Sequence, residues 1–174
     1  MPRPKVLSHV VFRTSHMDEM REWYLVVTHS RLCFKNLWAS FISFDEEHHR
    51  LGFIAAPNLE EQTEKQPGLQ HVAFRYETLK DLLDTYVELR GRKIVPARCT
   101  NHGPTTSFYY KDPDHNNVEL LYDNISDGEE SNRFMESEVF RTNPMGLPLD
   151  PEILLRRFQE GTPLEKLIAY EPLT

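Results

Sequence analysis

Two short segments of the chain carry the same succession of apolar and polar positions, which predicts two equivalent β-strands. Leu7–Arg13 and Leu69–Arg75 lie 62 positions apart and are identical at five of seven places. Side chains alternate between the two faces of a strand, so Val10 and Phe12 are expected to face one way and His9 the other. An internal repeat indicates that each copy belongs to the same kind of supersecondary unit.

Each copy is followed by apolar residues at helical spacing. The first predicted helix begins within Ser15–Asp18, and the second begins at Thr78 and is ended by Gly91 as its C′ residue. Tyr24 and Tyr86 again differ by 62 positions. The apolar stripes are Met17, Met20, Tyr24 and Val27 in the first helix, and Leu79, Leu82, Leu83 and Tyr86 in the second.

Three strand-like runs follow each predicted helix. They lie at about 31–35, 38–44 and 50–55 in the first half, and at about 93–98, 105–111 and 117–122 in the second. The fold class expected is therefore α+β, with two βαβββ modules (about 6–58 and 68–123) in one domain, 1–123. The modules are expected to form a cupped mixed β-sheet with outer helices and ligands inside.

The remaining segment, 124–174, is predicted to be a C-terminal tail of different character. Residues 123–138 are acidic and indicate a solvated connection. Asp150-Pro-Glu152 predicts the start of a short helix, and Thr162–Glu165 predicts a capping box for another. A tail with such helix starts is expected to pack on the domain or on a second subunit, so a homodimer is expected.

Length, composition and charge limit the kinds of protein that this chain can be. A length of 174 residues suits one domain with a real core, and 39% hydrophobic residues are typical of a globular protein. No apolar run reaches the roughly 20 residues that span a bilayer, and no signal core is expected at the N-terminus. Cys33 and Cys99 are interpreted as reduced thiols of a cytoplasmic protein. The net charge of −7 argues against nucleic acid as a partner.

His9, His71 and Glu119 are the candidate metal ligands. The two histidines occupy the same place in the two repeated strands, and Glu119 is a lone carboxylate in an apolar strand. Two imidazoles and one carboxylate on one concave surface form a facial triad, which leaves three positions of an octahedral metal for substrate and dioxygen. Taken singly, a strand histidine is more often a hydrogen-bonded core residue, and the matched pair favours the metal.

Alignment of the two halves predicts how many ligands there are. Glu47–Gly52 aligns with Asp114–Glu119, so Gly52 stands where the duplication would place a second glutamate. Three protein ligands are therefore expected rather than four. The space beside Gly52 is expected to be free, and His49, three residues earlier, is able to reach it.

The same residues resemble a known family, the type I extradiol ring-cleaving dioxygenases of the vicinal oxygen chelate superfamily. The resemblance covers roughly residues 6–123, and it departs at His115, a turn position where the family has Gly or Pro. It also departs in size, because many relatives carry two such domains. The positions that carry it are Thr100–His102, Phe108–Tyr109, Asp112–Pro113, Glu119, and the pair His48–His49 about twenty residues before His71.

The resemblance implies specific roles. His9, His71 and Glu119 would bind Fe(II), with Mn(II) as the alternative metal, and no organic cofactor is expected. His49 would act as acid and base beside the dioxygen position, while His102 and Tyr109 would hydrogen-bond the catechol. From the residues alone, other interpretations stay open: an exposed polar turn at His49, a loop position for His102, and a core aromatic for Tyr109.

The function expected is an Fe(II)-dependent dioxygenase that uses O₂ to open a catechol ring adjacent to its vicinal hydroxyls. Two alternatives remain. A glyoxalase-type lyase or isomerase would use the same cup, but it usually needs a fourth acidic ligand, which Gly52 cannot supply. A non-catalytic small-molecule-binding protein of the same superfamily would have no use for a complete triad.

Overall fold

The structure is a computed structural model that describes residues 1–60 and 67–173. It divides into two compact units. The first unit comprises residues 1–70 together with 112–116, and the second comprises 71–111 together with 117–174. Each unit contains one mixed β-sheet. The predicted α+β class with two βαβββ modules is confirmed.

The first unit contains a four-stranded sheet and one helix. In chain order the elements are β1 (Val10–Thr14), α1 (Met17–Val27), β2 (Arg31–Lys35), β3 (Ala39–Ser43) and β4 (Leu51–Ala55). The strand order is β1-β4-β3-β2, with β1 parallel to β4 and the other pairs antiparallel.

One face of this sheet is the core of the first unit. Tyr24 and Met20 of α1 are fully buried, and the Tyr24 ring lies 5.4 Å from that of Phe53. Burying apolar side chains of this size contributes roughly 1.5–3 kcal/mol each. The opposite face stays more open, since Val11 and Phe34 are each 46% exposed.

The second unit repeats this plan and adds the tail. Its module contains β5 (His71–Tyr76), α2 (Leu79–Gly91), β6 (Arg98–Asn101), β7 (Thr105–Lys111) and β8 (Asn117–Asp123). The tail contains α3 (Gly128–Glu136), α4 (Glu138–Thr142), β9 (Leu147–Pro148), α5 (Pro151–Gln159) and α6 (Leu164–Leu167). The strand order is β5-β8-β7-β6-β9.

Strand register relates the two sheets position by position. Val11 is paired with Gly52 in the first sheet, and Ala73 is paired with Glu119 in the second. Val11 and Ala73 are equivalent positions of the sequence repeat. Gly52 and Glu119 therefore occupy equivalent positions, as the alignment of the two halves predicted.

The end of α2 and the start of β6 differ from the prediction. Gly91 is the last helical residue rather than the C′ residue, and Lys93 takes the left-handed conformation at φ 64°. The Lys93 and Ile94 amides donate to the carbonyls of Arg90 and Leu89, which closes the helix end. Because this closure occupies residues 92–94, the strand predicted at 93–98 begins only at Arg98.

The acidic segment expected to be a connection is largely helical. Asp127 caps α3 by accepting a hydrogen bond from the Glu130 amide, and the acids Glu129 and Glu130 lie in the first turn. Negative side chains stabilise the positive end of a helix, so this acidic run starts a helix instead of preventing one.

The two predicted helix starts near the C-terminus have different outcomes. Asp150 caps α5 as predicted, because its side chain accepts from the Glu152 and Ile153 amides. The capping box predicted at Thr162 is wrong. α6 begins after Pro163, with no side-chain hydrogen bond at its cap.

The tail packs within the second unit. Leu154 of α5 is fully buried, and Glu152 accepts hydrogen bonds from Tyr86 and Arg90 of α2. β9 extends the sheet by pairing with β6. None of the helices in the described ranges is long and apolar enough to cross a membrane.

Candidate functional site

Three histidines gather in the first unit. His9 directly precedes β1, while His48 and His49 lie in the loop before β4. The His9 and His49 rings stack with their centroids 4.4 Å apart, and the Nδ1 atoms of His48 and His49 lie 2.6 Å apart. The candidate ligand atoms of all three lie within 4.8 Å of one another. This group, called the histidine cluster below, could hold a metal ion.

His49 is set apart from His48 by its surroundings. Burial lowers the pKa of His49, and the neighbouring His9 and His48 lower it further against an opposing effect of Glu47. His48 is exposed, whereas His49 is partly covered. A lowered pKa favours a neutral ring near pH 7, which is the form that accepts a proton.

The space beside Gly52, predicted to be free, is occupied. A Cβ atom on Gly52 would lie 3.1 Å from the Phe41 ring and 3.2 Å from Val11 Cγ2. The Phe41 ring in turn stacks on His49, with centroids 4.7 Å apart, and on Phe34 at 5.7 Å. His49 therefore lies against an aromatic side chain, and the prediction of an open space is wrong.

In the second unit, parallel pairing of β5 with β8 brings His71 next to Glu119. His71 Nε2 lies 3.0 Å from Glu119 Oε2, and Glu119 is only 5% exposed. A carboxylate in such a place needs a hydrogen-bonded partner or a metal, because burial penalises its charge. One imidazole nitrogen and one carboxylate oxygen at this spacing suit a divalent first-row transition metal.

Tyr109 and His102 complete the group in the second unit. Tyr109 donates a hydrogen bond to Glu119, and its Oη lies 3.0 Å from His102 Nε2. Burial and the adjacent Glu119 raise the pKa of Tyr109, so it stays a phenol that can donate. Burial lowers the pKa of His102, an effect that Glu119 partly opposes.

Arg98 belongs to this group although the sequence analysis did not single it out. It pairs directly across from Tyr109 in the β6–β7 register, its guanidinium carbon lies 4.2 Å from the Tyr109 ring centroid, and its side chain hydrogen-bonds Tyr109. Its positive charge lowers the pKa of Tyr109 against the larger opposing effects. In the sequence, only the pairing register of β6 with β7 could have placed Arg98 opposite Tyr109. The start of β6 was predicted wrongly, so this register could not be derived.

The turn at residues 112–116, where His115 departs from the family signature, has the positive φ that was predicted. His115 adopts φ 65° within residues 112–116. The Asp112 side chain accepts hydrogen bonds from the amides of Asp114 and Asn116, and Tyr24 donates to it. The turn is held by this buried carboxylate, so it does not require Gly or Pro at position 115.

The first unit also contains a cavity of about 420 Å³. It is bordered by β1 and by the turn at 112–116, where His16 Nδ1 lies 2.8 Å from Asp114 Oδ1. None of the six predicted site residues is among the described residues that line it. The residues that line this cavity are therefore not those that the sequence analysis singled out for chemistry.

The six predicted site residues thus divide between the units. His9 and His49 lie in the histidine cluster of the first unit, and His71, His102, Tyr109 and Glu119 lie together in the second. The contacts are those that metal binding and acid–base chemistry would use, and the individual roles remain predictions.

Comparison with known proteins identifies the family. Residues 6–120 match the family model described as the glyoxalase/bleomycin resistance protein/dioxygenase superfamily. The chain belongs to this superfamily. It is 38% identical over 164 residues to biphenyl-2,3-diol 1,2-dioxygenase 2 of Rhodococcus globerulus, covering 94% of the chain and 86% of that relative. It is 39% identical over 163 residues to biphenyl-2,3-diol 1,2-dioxygenase 3 of the same organism, covering 92% and 86%.

A solved structure supports the fold. The glyoxalase/bleomycin resistance protein/dioxygenase domain from Frankia sp. EAN1pec has a TM-score of 0.57 and 17% identity, and the match covers 70% of this chain and 99% of that one. At this identity the likeness concerns the fold alone. The family resemblance read from the residues is confirmed.

Proposed function

We propose that this superfamily member is an Fe(II)-dependent extradiol dioxygenase that opens the ring of a catechol-type substrate adjacent to its vicinal hydroxyls with O₂. The observation that carries the proposal is the group in the second unit: the buried Glu119 carboxylate, His71 at 3.0 Å, and Tyr109 and His102 beside them. The names of the two Rhodococcus relatives support the same reaction class.

His9, His71 and Glu119 are the proposed ligands, with Mn(II) as the alternative metal. Glu119 and His71 supply one hard and one borderline donor, a combination that suits either ion. When bound, the ion would supply the redox-active centre that couples oxidation of the catechol to reduction of O₂. The residues that surround it then determine how the substrate is held and where its protons go.

His49 is proposed to take a proton from a catechol hydroxyl and to return one later in the reaction. Its partly covered ring and lowered pKa suit a base that works near neutral pH. Tyr109 is proposed to donate a hydrogen bond to a substrate oxygen as negative charge grows there, because its raised pKa keeps the hydroxyl protonated. His102 is proposed to hydrogen-bond the same region.

The open face of the first sheet suggests the class of catechol. Phe41 stacks directly on His49, Phe34 stacks on Phe41, and Val11 lies opposite Gly52 on the same face. Such a surface binds apolar aromatic groups better than charged ones. Aryl-substituted catechols such as biphenyl-2,3-diol are therefore the proposed substrates to test first.

A lyase of the glyoxalase type is less well supported. A fourth acidic ligand at position 52 would need the space that the Phe41 ring fills, since even a Cβ atom there approaches the ring to 3.1 Å.

The test is to load the protein anaerobically with Fe(II), and separately with Mn(II), and then to supply O₂ with catechol, 3-methylcatechol or biphenyl-2,3-diol. We expect one O₂ consumed per substrate and both atoms of ¹⁸O₂ in a ring-opened product, with the aryl-substituted diol used best. Glu119→Gln serves as the inactive control. Cleavage between the two hydroxyls, or no O₂ uptake by the loaded protein, would contradict the proposal.

A further inference from the structure

Arg50 holds together the two segments that carry the histidine cluster. Its Nη1 atom donates hydrogen bonds to the carbonyls of Leu7 and Ser8, each at 3.0 Å, and its own carbonyl accepts from the Val10 amide at 3.0 Å. Asp45 fixes the guanidinium, because its Oδ2 atom accepts from Nε at 2.9 Å and lies 2.8 Å from Nη2. The backbone on both sides of the first histidine is therefore tied to the loop that carries the other two.

The three rings are already close to the geometry of a metal site. The His49 ring stacks on both the Phe41 and the His9 rings, with centroids 4.7 and 4.4 Å apart. Nitrogens bound to tetrahedral Zn²⁺ at about 2.0–2.1 Å lie roughly 3.3–3.4 Å from one another. The ligand atoms of the cluster lie within 4.8 Å of one another, so each separation needs to change by no more than roughly 1.5 Å. His9 and His48 are exposed, so their rings can rotate to supply this movement.

Glu47 gives His48 the second contact that metal-binding histidines usually have. The His48 Nε2 atom lies 3.5 Å from Glu47 Oε1, and the His48 amide donates to the same oxygen at 3.3 Å. The other ring nitrogen, Nδ1, faces His49 at 2.6 Å. A ligating imidazole commonly has a carboxylate at its other nitrogen, which orients the ring and makes the ligating nitrogen more basic. The Glu47 contact therefore points to a metal ligand independently of the clustering of the rings.

The donor atoms of the cluster differ from those of the group in the second unit. All three donors of the cluster are imidazole nitrogens, whereas Glu119 adds a carboxylate oxygen to His71. Imidazole suits Zn²⁺ and Cu²⁺, carboxylates suit Mn²⁺, and Mn²⁺ and Fe²⁺ stand at the weak end of the usual order of affinities. The cluster is therefore expected to favour Zn²⁺ over both ions proposed for catalysis.

We propose that His9, His48 and His49 form a Zn²⁺ site whose occupation inhibits the dioxygenase. His48 has no part in the proposed Fe(II) ligand set, whereas His9 and His49 would serve in both arrangements. Once bound to Zn²⁺, His9 cannot supply the same nitrogen to Fe(II), and a His49 nitrogen that binds Zn²⁺ cannot accept a proton. The inhibition rests on the proposed function, whereas the binding of Zn²⁺ does not.

Zn²⁺ binding is measured first, by calorimetric titration of metal-free protein. Every protein in this series carries Glu119→Gln, which makes the proposed Fe(II) ligand set incomplete and leaves the cluster intact. In this background, His48→Asn should weaken Zn²⁺ binding by at least about 100-fold, since it removes one of three ligands. Glu47→Gln should weaken it by about 10-fold, since the charge beside His48 Nε2 is lost.

His29→Asn is the matched control. His29 is also exposed and lies outside the cluster, and asparagine tolerates its positive φ of 48°. This variant should bind Zn²⁺ as tightly as the Glu119→Gln protein does. Equal Zn²⁺ affinities in the His48→Asn and His29→Asn proteins, or no Zn²⁺ binding by Glu119→Gln itself, would overturn the proposal, because the ion would then not lie in the cluster.

The second measurement is inhibition of the Fe(II)-loaded enzyme with Glu119 in place. Zn²⁺ should inhibit the wild type and His29→Asn at the same concentration, whereas His48→Asn should require at least about 10-fold more Zn²⁺. Equal inhibition of all three would mean that Zn²⁺ displaces iron from the proposed ligand set, and the inhibitory role of the cluster would be wrong. If loaded wild-type protein cleaves no catechol, the proposed function fails, and the titration still decides whether the cluster binds Zn²⁺.

Discussion

Replacement of Glu119 by glutamine separates metal binding from folding. Glu119 is 5% exposed, pairs with His71 at 3.0 Å and accepts a hydrogen bond from Tyr109. Glutamine has the same shape and keeps an acceptor oxygen for Tyr109, but it loses the negative charge that a metal ligand supplies. The substitution should therefore leave the metal-free fold intact and weaken metal binding.

The expected magnitude follows from linkage. A metal present at 100 times its Kd stabilises the folded protein by about 2.7 kcal/mol. Since about 1 kcal/mol shifts Tm by roughly 2–4 °C at this size, the wild type should gain about 5–11 °C. Mutation of a residue that only hydrogen-bonds a metal ligand lowers metal affinity by up to about 100-fold. Removal of one of the three proposed ligands themselves should therefore lower the affinity by at least about 100-fold. The same metal concentration then equals the Kd of the variant. Metal binding stabilises the variant by only about 0.4 kcal/mol, which raises its Tm by roughly 1–2 °C.

The assay is anaerobic differential scanning calorimetry across a titration of Fe(II) or Mn(II). His48→Asn is the control, because His48 belongs to the histidine cluster but is not a proposed ligand of Fe(II) or Mn(II). This variant should keep the full metal-dependent shift. If Glu119→Gln keeps that shift instead, or if His48→Asn abolishes it, the ion binds in the histidine cluster and the proposed ligand set is wrong.

Three further predictions concern separate features. In steady-state kinetics, His49→Phe should retain metal yet lose on the order of 10²–10⁴-fold in kcat, whereas His48→Phe should lower kcat less. A larger loss of kcat in His48→Phe than in His49→Phe would mean that His48 is the base. Leu154→Ala should destabilise the protein by about 2–5 kcal/mol in urea unfolding, since this side chain is fully buried; a loss below 1 kcal/mol would mean that α5 is not part of the core. Arg90 lowers the pKa of Glu152, so Glu152→Gln should reduce the free energy of unfolding above the unfolded pKa of about 4.3. The difference in stability between wild type and variant should disappear as the pH falls through the lower pKa of the folded state, and a difference that did not change with pH would contradict this ion pair.

The sequence alone determined the architecture of the two modules. The repeat around His9 and His71 predicted two equivalent strands, and helical spacing predicted α1 and α2. The alignment of Gly52 with Glu119 agrees with the observed registers. These features were accessible because backbone periodicity is local, so a strand or an amphipathic helix leaves its pattern in consecutive residues. The cap at Asp150 is local in the same sense.

The tertiary structure decided which side chains meet. Arg98 lies on the Tyr109 ring because β6 pairs with β7 in one particular register, and a shift of one residue would have turned it to the other face. The Phe41 ring fills the space beside Gly52, and Gly146 packs against the backbone of His102 across more than forty residues of chain. Contacts of this kind depend on register and on long-range packing, which leave no periodic pattern in the sequence. For this reason the sequence indicated the candidate ligands and acid–base groups, and the fold determined what surrounds them.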